Sequence, residues 1–311
     1  MSEARGGWHR LPEAGSVIGL RGIALWVKLL GRGPARLLVG VLAVYYFIFW
    51  SAPRRHSRDY LRRVGVPHGP RQVLRHLWVF GVTMVDRLLF VQDRFEHFEI
   101  ERHGHEHLQE QLATGSGAIL LGAHLGSFEV MRTQSHHFRV PLNVVGEFSN
   151  AQMLNGILNR LNPDIDARLI PAKPGGLELA LQIRDAISRG EFVAILGDRI
   201  FEDTPSVEVE FLGGTIRLPT GPYEIASVLR CPIYFTTALH TEPNRYTLHC
   251  EPFAQQVQLP RKARKEALAA YAQAYADRMA HYCRLSPYNW FNFFDFWSTR
   301  EPVETPALPP A

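Results

Sequence analysis

A histidine and a glutamate, His124 and Glu129, stand directly after an apolar run in the stretch GAILLGAHLGSFEVMR (117–132). The run GAILLGA predicts a strand buried on both faces, so that His124 leaves the sheet where the strand ends. If a helix begins near Ser127, which is a good N-cap residue, Glu129 lies in its first turn, where the helix dipole favours a carboxylate. A carboxylate that holds one imidazole nitrogen leaves the other nitrogen free to act as a general base. We therefore expect Glu129 to orient His124 and His124 to accept a proton.

The sequence offers no nucleophile beside this histidine. There is no Gly-x-Ser-x-Gly elbow. The three cysteines, Cys231, Cys250 and Cys283, lie far from His124 in sequence and lack the spacing of a zinc site or a disulfide framework. A base without a nucleophile of its own suits a reaction in which a substrate hydroxyl attacks an activated acyl group directly. Two alternatives stay open: a thioesterase that uses water as the acceptor, and a non-catalytic lipid-binding protein with the same fold.

The rest of the chain alternates strand and helix patterns, which predicts an α/β fold with a mixed central sheet covered by helices on both faces. Apolar or alternating runs predict strands at 117–123, 138–147, 167–172, 191–198, 207–214, 232–240 and 245–253. Apolar residues at helical spacing predict helices at 71–91, 105–114, 149–162, 175–190, 221–231 and 261–284. The strand at 191–198 ends on Asp198, so two strand ends carry polar groups where open α/β sheets collect functional residues.

The N-terminal part of the chain has the pattern of a membrane-binding region. Residues 37–53, LLVGVLAVYYFIFWSAP, contain no charge and lie at the lower edge of the ~17–25 residues that a membrane-spanning helix needs. The preceding segment 16–32 is amphipathic, as in a helix that lies in the membrane interface. Arginines flank the apolar run: Arg32, Arg36, Arg54, Arg55, Arg58, Arg62 and Arg63. A spanning helix, an in-plane helix and a buried core helix all remain open, and the arginines favour an anionic, cytoplasmic membrane face.

We predict membrane-binding helices in residues 1–66, one α/β domain in 67–300 and a disordered Pro-rich tail in 301–311. The chain carries 34 Lys+Arg against 30 Asp+Glu, and this mild excess gives no argument for a nucleic-acid partner. The motif HGHEH (103–107) leads into a helical pattern, on which alternating histidines do not share a face, so no metal site is predicted. The run NWFNFFDFW (289–297) lacks interleaved cations and is expected to pack on the core or to line an acyl-chain groove.

The stretch LGAHLGSFE (121–129) resembles the His-x4-acid block of the lysophospholipid acyltransferase superfamily. With a glutamate as its acid, the block is similar to that of the branch that contains the late acyltransferases of lipid A biosynthesis and the acyltransferase of mycobacterial phosphatidylinositol mannosides. The resemblance continues through RDAISRGEFVAILGDR (184–199) and FLGGTIRLPTGPYEIASVLRCPIYF (211–235) and covers roughly residues 70–300. The closing run YNWFNFFDFW (288–297) resembles a subgroup associated with aryl-polyene and similar pigments.

This resemblance implies a bacterial inner-membrane enzyme with αβα layers like those of glycerol-3-phosphate acyltransferase and a cytoplasmic catalytic domain. His124 would deprotonate an acceptor hydroxyl of a lipid or glycolipid, oriented by Glu129, and the hydroxyl would attack the thioester of acyl-carrier protein or coenzyme A. No covalent acyl-enzyme, cofactor or metal is implied. The candidate substrate-binding residues are Ser127, Lys173, Asp198, Arg199, Gly213, Gly214, Arg217 and Pro219. The cations among them would bind donor phosphates or an anionic acceptor, and the Gly/Pro residues would shape a loop beside the site.

Overall fold

A computed structural model describes residues 26–27, 31–137, 140–146, 168–171, 177–200 and 204–297. The helices are α1 (Arg32–Phe49), α2 (Ser51–Val64), α3 (Pro70–Val91), α4 (His105–Ala113), α5 (Phe128–His137), α6 (Leu177–Ser188), α7 (Gly221–Leu229) and α8 (Arg264–Leu285). The strands are β1 (Glu99–His103), β2 (Ala118–Gly122), β3 (Leu142–Gly146), β4 (Arg168–Pro171), β5 (Phe192–Leu196), β6 (Ser206–Phe211), β7 (Gly214–Pro219), β8 (Ile233–Thr241) and β9 (Arg245–Ala254).

Seven of the described strands form one mixed sheet in the order β1-β9-β8-β2-β5-β3-β4. Strands β8 and β9 pair antiparallel, and every other neighbouring pair in this sheet is parallel. Strand β2 lies at the centre, and each of its five residues is buried, as expected for a strand covered on both faces. The predicted α/β fold with a mixed central sheet is therefore confirmed.

Helices cover both faces of the sheet. The apolar side chains of β2 point alternately to one face and the other, so each face needs a helical layer to bury them. Ile119 and Leu121 belong to the largest apolar cluster, which also contains the buried face of α8. Leu120 belongs to a second cluster, against which Leu108 of α4 and Phe128 of α5 pack. This alternation along one apolar strand makes the three layers.

Several predicted elements differ from the structure. The segment predicted as one strand at 207–214 ends in a tight turn at Leu212 and Gly213, whose φ angles are 48° and 75°, and continues into β7 as a separate two-stranded hairpin. Strand β1 was not predicted, because its sequence EIERH has a single apolar residue. The predicted helix at 149–162, the tail 301–311 and most of the segment 16–32 lie outside the described residues.

The apolar N-terminal run forms α1, which Trp50 separates from the arginine-rich α2. By length and composition alone, α1 could cross a membrane. Its buried residues Ala35, Val39 and Ala43 lie on one side, and α1 packs against α3. The opposite side exposes large apolar residues, so α1 is not the buried core helix that the sequence left open. The exposed large apolar residues of α1 are Leu37, Val41, Val44, Tyr45, Ile48 and Phe49.

A buried carboxylate fixes the start of α1 to the domain. Asp86 on α3 is fully buried and accepts hydrogen bonds from Arg32 Nε at 2.7 Å, from Arg32 Nη2 at 2.8 Å and from the Tyr246 hydroxyl at 2.9 Å. The charge-assisted fork satisfies both carboxylate oxygens away from water. Arg32 Nη2 also donates to the carbonyl of Pro243 at 2.8 Å, so one side chain joins α1 to α3 and to the β8–β9 turn.

We expect Asp86→Ala to lower the free energy of unfolding by about 3–5 kcal/mol, because the Arg32 guanidinium then stays largely buried without its counter-charge. The measurement is urea-induced unfolding of the full chain at neutral pH. Glu99→Ala is the control, since it removes an exposed ion pair with Arg245 and should change the unfolding free energy by less than about 1 kcal/mol. Equal losses in the two variants would contradict the structural role of Asp86.

Candidate functional site

The register of two neighbouring strands places His124 beside Asp198. Strands β2 and β5 are parallel, and Gly122 is the partner of Leu196. Two residues further along each chain, His124 and Asp198 therefore emerge together at the carboxyl edge of the sheet. The carboxyl edge is where α/β sheets concentrate functional groups, so a polar pair at this position is a candidate site.

A tight turn sends the chain from His124 back over the sheet. Gly126 has φ 76°, and a Cβ there would lie 1.9 Å from the carbonyl oxygen of Ala238, so the turn requires glycine. The backbone N–H of Ser127 donates to the same carbonyl at 2.8 Å, and α5 begins at the next residue, Phe128. The predicted helix start and the position of Glu129 in its first turn are thus confirmed.

Asp198 holds His124 through two hydrogen bonds. His124 Nδ1 lies 2.8 Å from Asp198 Oδ1, and the backbone N–H of His124 donates to Asp198 Oδ2 at 3.0 Å. The Asp198 side chain is buried, whereas 29% of the His124 side chain is exposed. Because the carboxylate only accepts, the Nδ1 proton lies on the imidazole, and Nε2 is the unprotonated nitrogen of the neutral ring.

The surroundings keep Asp198 ionised. Burial alone would raise the pKa of its carboxyl, but the charge of His124, the hydrogen bonds from that residue and the nearby Arg199 outweigh burial and lower the pKa below its usual value. A carboxylate that is hydrogen-bonded to Nδ1 of a histidine stabilises the imidazolium that forms when Nε2 takes up a proton. The pair therefore has the geometry and charge of a general base with its orienting carboxylate.

Glu129 does not hold the imidazole, contrary to the expectation from the sequence. One of its carboxylate oxygens accepts from Arg87 Nε at 2.8 Å, and the other accepts from Arg132. Its side chain is buried between α5 and α3, where the two guanidiniums compensate its charge. Arg87 comes from α3, so the contact depends on how α3 packs on α5, which the sequence around His124 does not encode.

A segment near the C-terminus holds the loop that carries His124. The backbone N–H of Phe291 donates to the carbonyl of His124 at 2.9 Å, and Gly126 N–H donates to Asn289 O at 2.7 Å. The side chain of Asn289 accepts from the N–H of His240 at 2.7 Å and donates to its carbonyl at 2.9 Å. The aromatic run 289–297 was expected to pack on the core or line a groove. Trp290 is indeed fully buried, and the segment also fixes the backbone of His124.

Two buried polar residues support this segment from the N-terminal helices. The Ser57 hydroxyl lies 2.9 Å from His76 Nδ1, and His76 Nε2 lies 2.9 Å from the carbonyl oxygen of Trp290. Since a carbonyl only accepts, Nε2 of His76 carries the proton and Nδ1 accepts from Ser57. Burial disfavours the charged ring and lowers the pKa of His76 to about 4.

The remaining candidates fall into two groups. Ser127 and Arg199 adjoin the His124–Asp198 pair in the chain, and the Arg199 guanidinium lies 5.5 Å from the ring centroid of Phe294. The other described candidates belong to the β6–β7 hairpin: Gly213, Gly214, Arg217 and Pro219. None of the described contacts of these hairpin residues is with His124 or Asp198.

The hairpin turn packs against other elements instead. A Cβ on Gly214 would lie 2.5 Å from an Arg63 nitrogen and 2.8 Å from the Trp297 ring, so the turn sits against α2 and the aromatic run. Arg217 is exposed on β7 opposite Glu208. Lys173 lies outside the described residues. These residues were grouped with the site because they lie in stretches that resemble the family. The order of such stretches along the chain does not give the distance between the hairpin and His124 in the fold.

The histidines of the HGHEH motif pair with neighbouring carboxylates. His103 lies 3.2 Å from Glu101, and His105 lies 3.4 Å from Glu106. Among the described residues, no group of three or more His, Cys, Asp and Glu has the arrangement of a metal site. That the protein needs no metal stays a prediction.

Comparison with known proteins gives two matches. The sequence model of the family described as "Bacterial lipid A biosynthesis acyltransferase" matches residues 70–299. The phosphatidylinositol mannoside acyltransferase of Mycobacterium tuberculosis is 22% identical over 261 residues, which cover 81% of this chain and 79% of that protein. The family match includes His124, Glu129 and Asp198 and begins with the first residue of α3, so α1 and α2 precede it.

Acidification should destabilise the protein through His76. Its pKa is about 4 in the folded protein and about 6.5 in the unfolded chain, so the unfolded chain binds the proton first as the pH falls. This difference removes about 2 kcal/mol of unfolding free energy between about pH 7.5 and pH 5. In His76→Gln, an uncharged replacement, the loss over the same interval should shrink by about that amount.

The measurement is urea-induced unfolding of wild type and variant at both pH values. His68→Gln is the matched control, since His68 is exposed and its replacement should leave the pH dependence as it is in wild type. A loss on acidification that His76→Gln leaves unchanged would contradict the buried, neutral state of His76.

Proposed function

Because the chain belongs to the bacterial lipid A biosynthesis acyltransferase family, we propose that it transfers an acyl chain from a thioester to a hydroxyl of a lipid or glycolipid. The donor is acyl-carrier protein or coenzyme A loaded with the chain. The observation that supports this function best is the pair formed by His124 and the buried Asp198, with a 2.8 Å contact at Nδ1 and a partly exposed ring. The mycobacterial relative is a phosphatidylinositol mannoside acyltransferase, which supports a glycolipid acceptor.

The proposed reaction needs one base and no protein nucleophile. His124 Nε2 accepts the proton of the acceptor hydroxyl while the hydroxyl oxygen attacks the thioester carbonyl carbon. The carbon–sulfur bond then breaks, the ester forms, and the leaving thiolate takes the proton from the imidazolium. Asp198 keeps the ring in the tautomer that leaves Nε2 free, and its charge stabilises the imidazolium between the two proton transfers. No acyl-enzyme and no cofactor enter this sequence.

Glu129 receives a positioning role in this proposal. It joins Arg87 of α3 to Arg132 of α5, and α5 starts four residues after His124, closing the turn that carries the base. Arg199, which follows Asp198 in the chain, is a candidate to bind a phosphate of the donor. Lys173 and Arg217 remain candidates for the same task.

The protein is proposed to act on the cytoplasmic face of the inner membrane. One side of α1 packs on the domain, while the other side exposes a stripe of large apolar residues. Such a helix suits burial in the interface plane better than a span that lipid surrounds on all sides. The arginines of α2 follow directly and favour anionic lipid. Membership of the aryl-polyene subgroup also stays a prediction.

Asp198 and Glu129 are expected to differ in the pH dependence of the reaction. Asp198→Asn should lower kcat by at least about 100-fold, because the amide no longer favours the productive tautomer or the imidazolium. The acidic limb of its pH–rate profile should shift as well. Glu129→Gln should lower the free energy of unfolding by about 3 kcal/mol, since it leaves two guanidiniums without a counter-charge, and should keep the midpoint of the acidic limb.

Steady-state rates across pH and urea unfolding of each variant measure these effects, with the exposed Asp185→Asn of α6 as the control. A shifted limb in Glu129→Gln together with a wild-type limb in Asp198→Asn would restore Glu129 as the orienting carboxylate.

Product analysis separates transfer from the two alternatives. Incubation with an acyl thioester and bacterial lipid extract should yield an acylated lipid and free thiol in equal amounts, and His124→Ala should abolish both. Free fatty acid in place of acylated lipid would identify a thioesterase. Lipid binding by wild type without release of thiol would identify a non-catalytic lipid-binding protein.

A further inference from the structure

A groove between α1 and α3 lies outside the His124–Asp198 site and has a volume of about 570 Å³. Small residues of α1, Gly40 and Ala43, form one wall, and Trp78 of α3 stands opposite. A Cβ on Gly40 would lie 3.0 Å from the Trp78 ring, so glycine lets the two helices approach at the bottom of the groove. Its volume falls in the range of roughly 300–1,000 Å³ that small-molecule sites occupy.

Two exposed arginines one helical turn apart on α3 give the groove a positive charge. Among the described residues, no hydrogen bond or ion pair engages the Arg71 guanidinium. The Arg75 guanidinium lies 4.5 Å from the ring centroid of Tyr288, a contact that leaves its N–H groups free of any described carboxylate. The described lining contains no Asp or Glu. Glu242, which accepts the indole N–H of Trp78, is itself paired with Arg36.

The groove is continuous with the apolar stripe of α1. Val44 lines the groove and is also an exposed residue of the stripe that includes Val41 and Ile48. A molecule bound there meets two guanidiniums on the α3 side of the groove and an apolar helix face on the α1 side. An anionic lipid matches both features, because its phosphate can bind the guanidiniums and its acyl chains can cover the apolar face.

We propose that this groove binds the phosphate headgroup of an anionic membrane lipid, with Arg71 and Arg75 as the phosphate ligands and the α1 stripe under the acyl chains. The site rests on the proposed membrane location and deepens it, because it replaces a diffuse attraction to negative charge with one defined lipid position. Bound lipid would also fix the orientation of α1 and the catalytic domain relative to the bilayer surface.

The test is sedimentation of the full chain with vesicles of phosphatidylcholine, with and without phosphatidylglycerol. The double variant Arg71→Gln, Arg75→Gln should lose roughly 30-fold in partition to phosphatidylglycerol vesicles, as expected for two cations near an anionic surface. The control Arg261→Gln, Lys262→Gln removes the same charge from exposed residues before α8 and should lose less than about 3-fold. Equal losses in the two double variants would overturn the site in favour of diffuse attraction.

A local probe makes the result independent of net charge. The three native cysteines are buried, so Gln72→Cys in the groove can be labelled selectively with an environment-sensitive dye. Phosphatidylglycerol vesicles should shift the dye emission to the blue, whereas inorganic phosphate at matched ionic strength should not. The same dye at Lys262→Cys should report no shift. A shift with inorganic phosphate alone would make this a free-anion site, and no shift with vesicles would exclude the lipid.

An acidic carrier protein is the competing partner for two arginines. If the double variant kept wild-type vesicle binding and instead raised the KM for an acyl-carrier thioester, the groove would be a protein docking site and the lipid proposal would be wrong. Vesicle binding needs no turnover, so its outcome stays separate from whether His124 acts as a base.

Discussion

The hydrogen bond between His124 Nδ1 and Asp198 Oδ1 depends on one structural constraint, the parallel register of β2 and β5. A slip of that register would move one of the two residues away from the other and break the pair. Burial of the whole of β2 between two helical layers makes such a slip costly, because it would change which side chains meet each layer. The apolar core is therefore what sets the distance between two polar groups at its edge.

A second constraint acts on the loop that follows the strand. The Phe291 and Asn289 backbones bond to the loop from one side, and Ala238 accepts from Ser127 on the other. The segment that contains Asn289 and Phe291 is in turn held by Ser57 and His76, because His76 is hydrogen-bonded to the carbonyl of Trp290. Both residues belong to helices that precede the α/β sheet in the chain. The position of His124 thus depends on residues from both ends of the chain, which explains why an aromatic run far from the site in sequence belongs to its architecture.

The sequence predicted those parts of the site that local rules determine. An apolar run of strand length, a glycine turn and a good N-cap residue before a helix are enough to place His124 at a sheet edge and Glu129 in a first turn. The acid of Asp198 follows another apolar run, and the family resemblance pointed to it. The partner of each carboxylate could not be predicted, because Asp198 reaches His124 through strand pairing and Glu129 reaches Arg87 through helix packing. Strand β1 has a single apolar residue and was missed, whereas the alternating run at 207–214 predicted β6 but not the turn at Leu212 and Gly213 that leads into β7.

Nitrogen NMR of histidine-labelled protein observes directly which nitrogen of the His124 ring carries the proton. We predict that neutral His124 carries its proton on Nδ1 and that this proton is strongly deshielded by the carboxylate. Asp198→Asn should remove the deshielded signal, and Glu129→Gln should leave it in place. A neutral ring protonated on Nε2, or a signal lost in Glu129→Gln and kept in Asp198→Asn, would show that Asp198 does not orient His124.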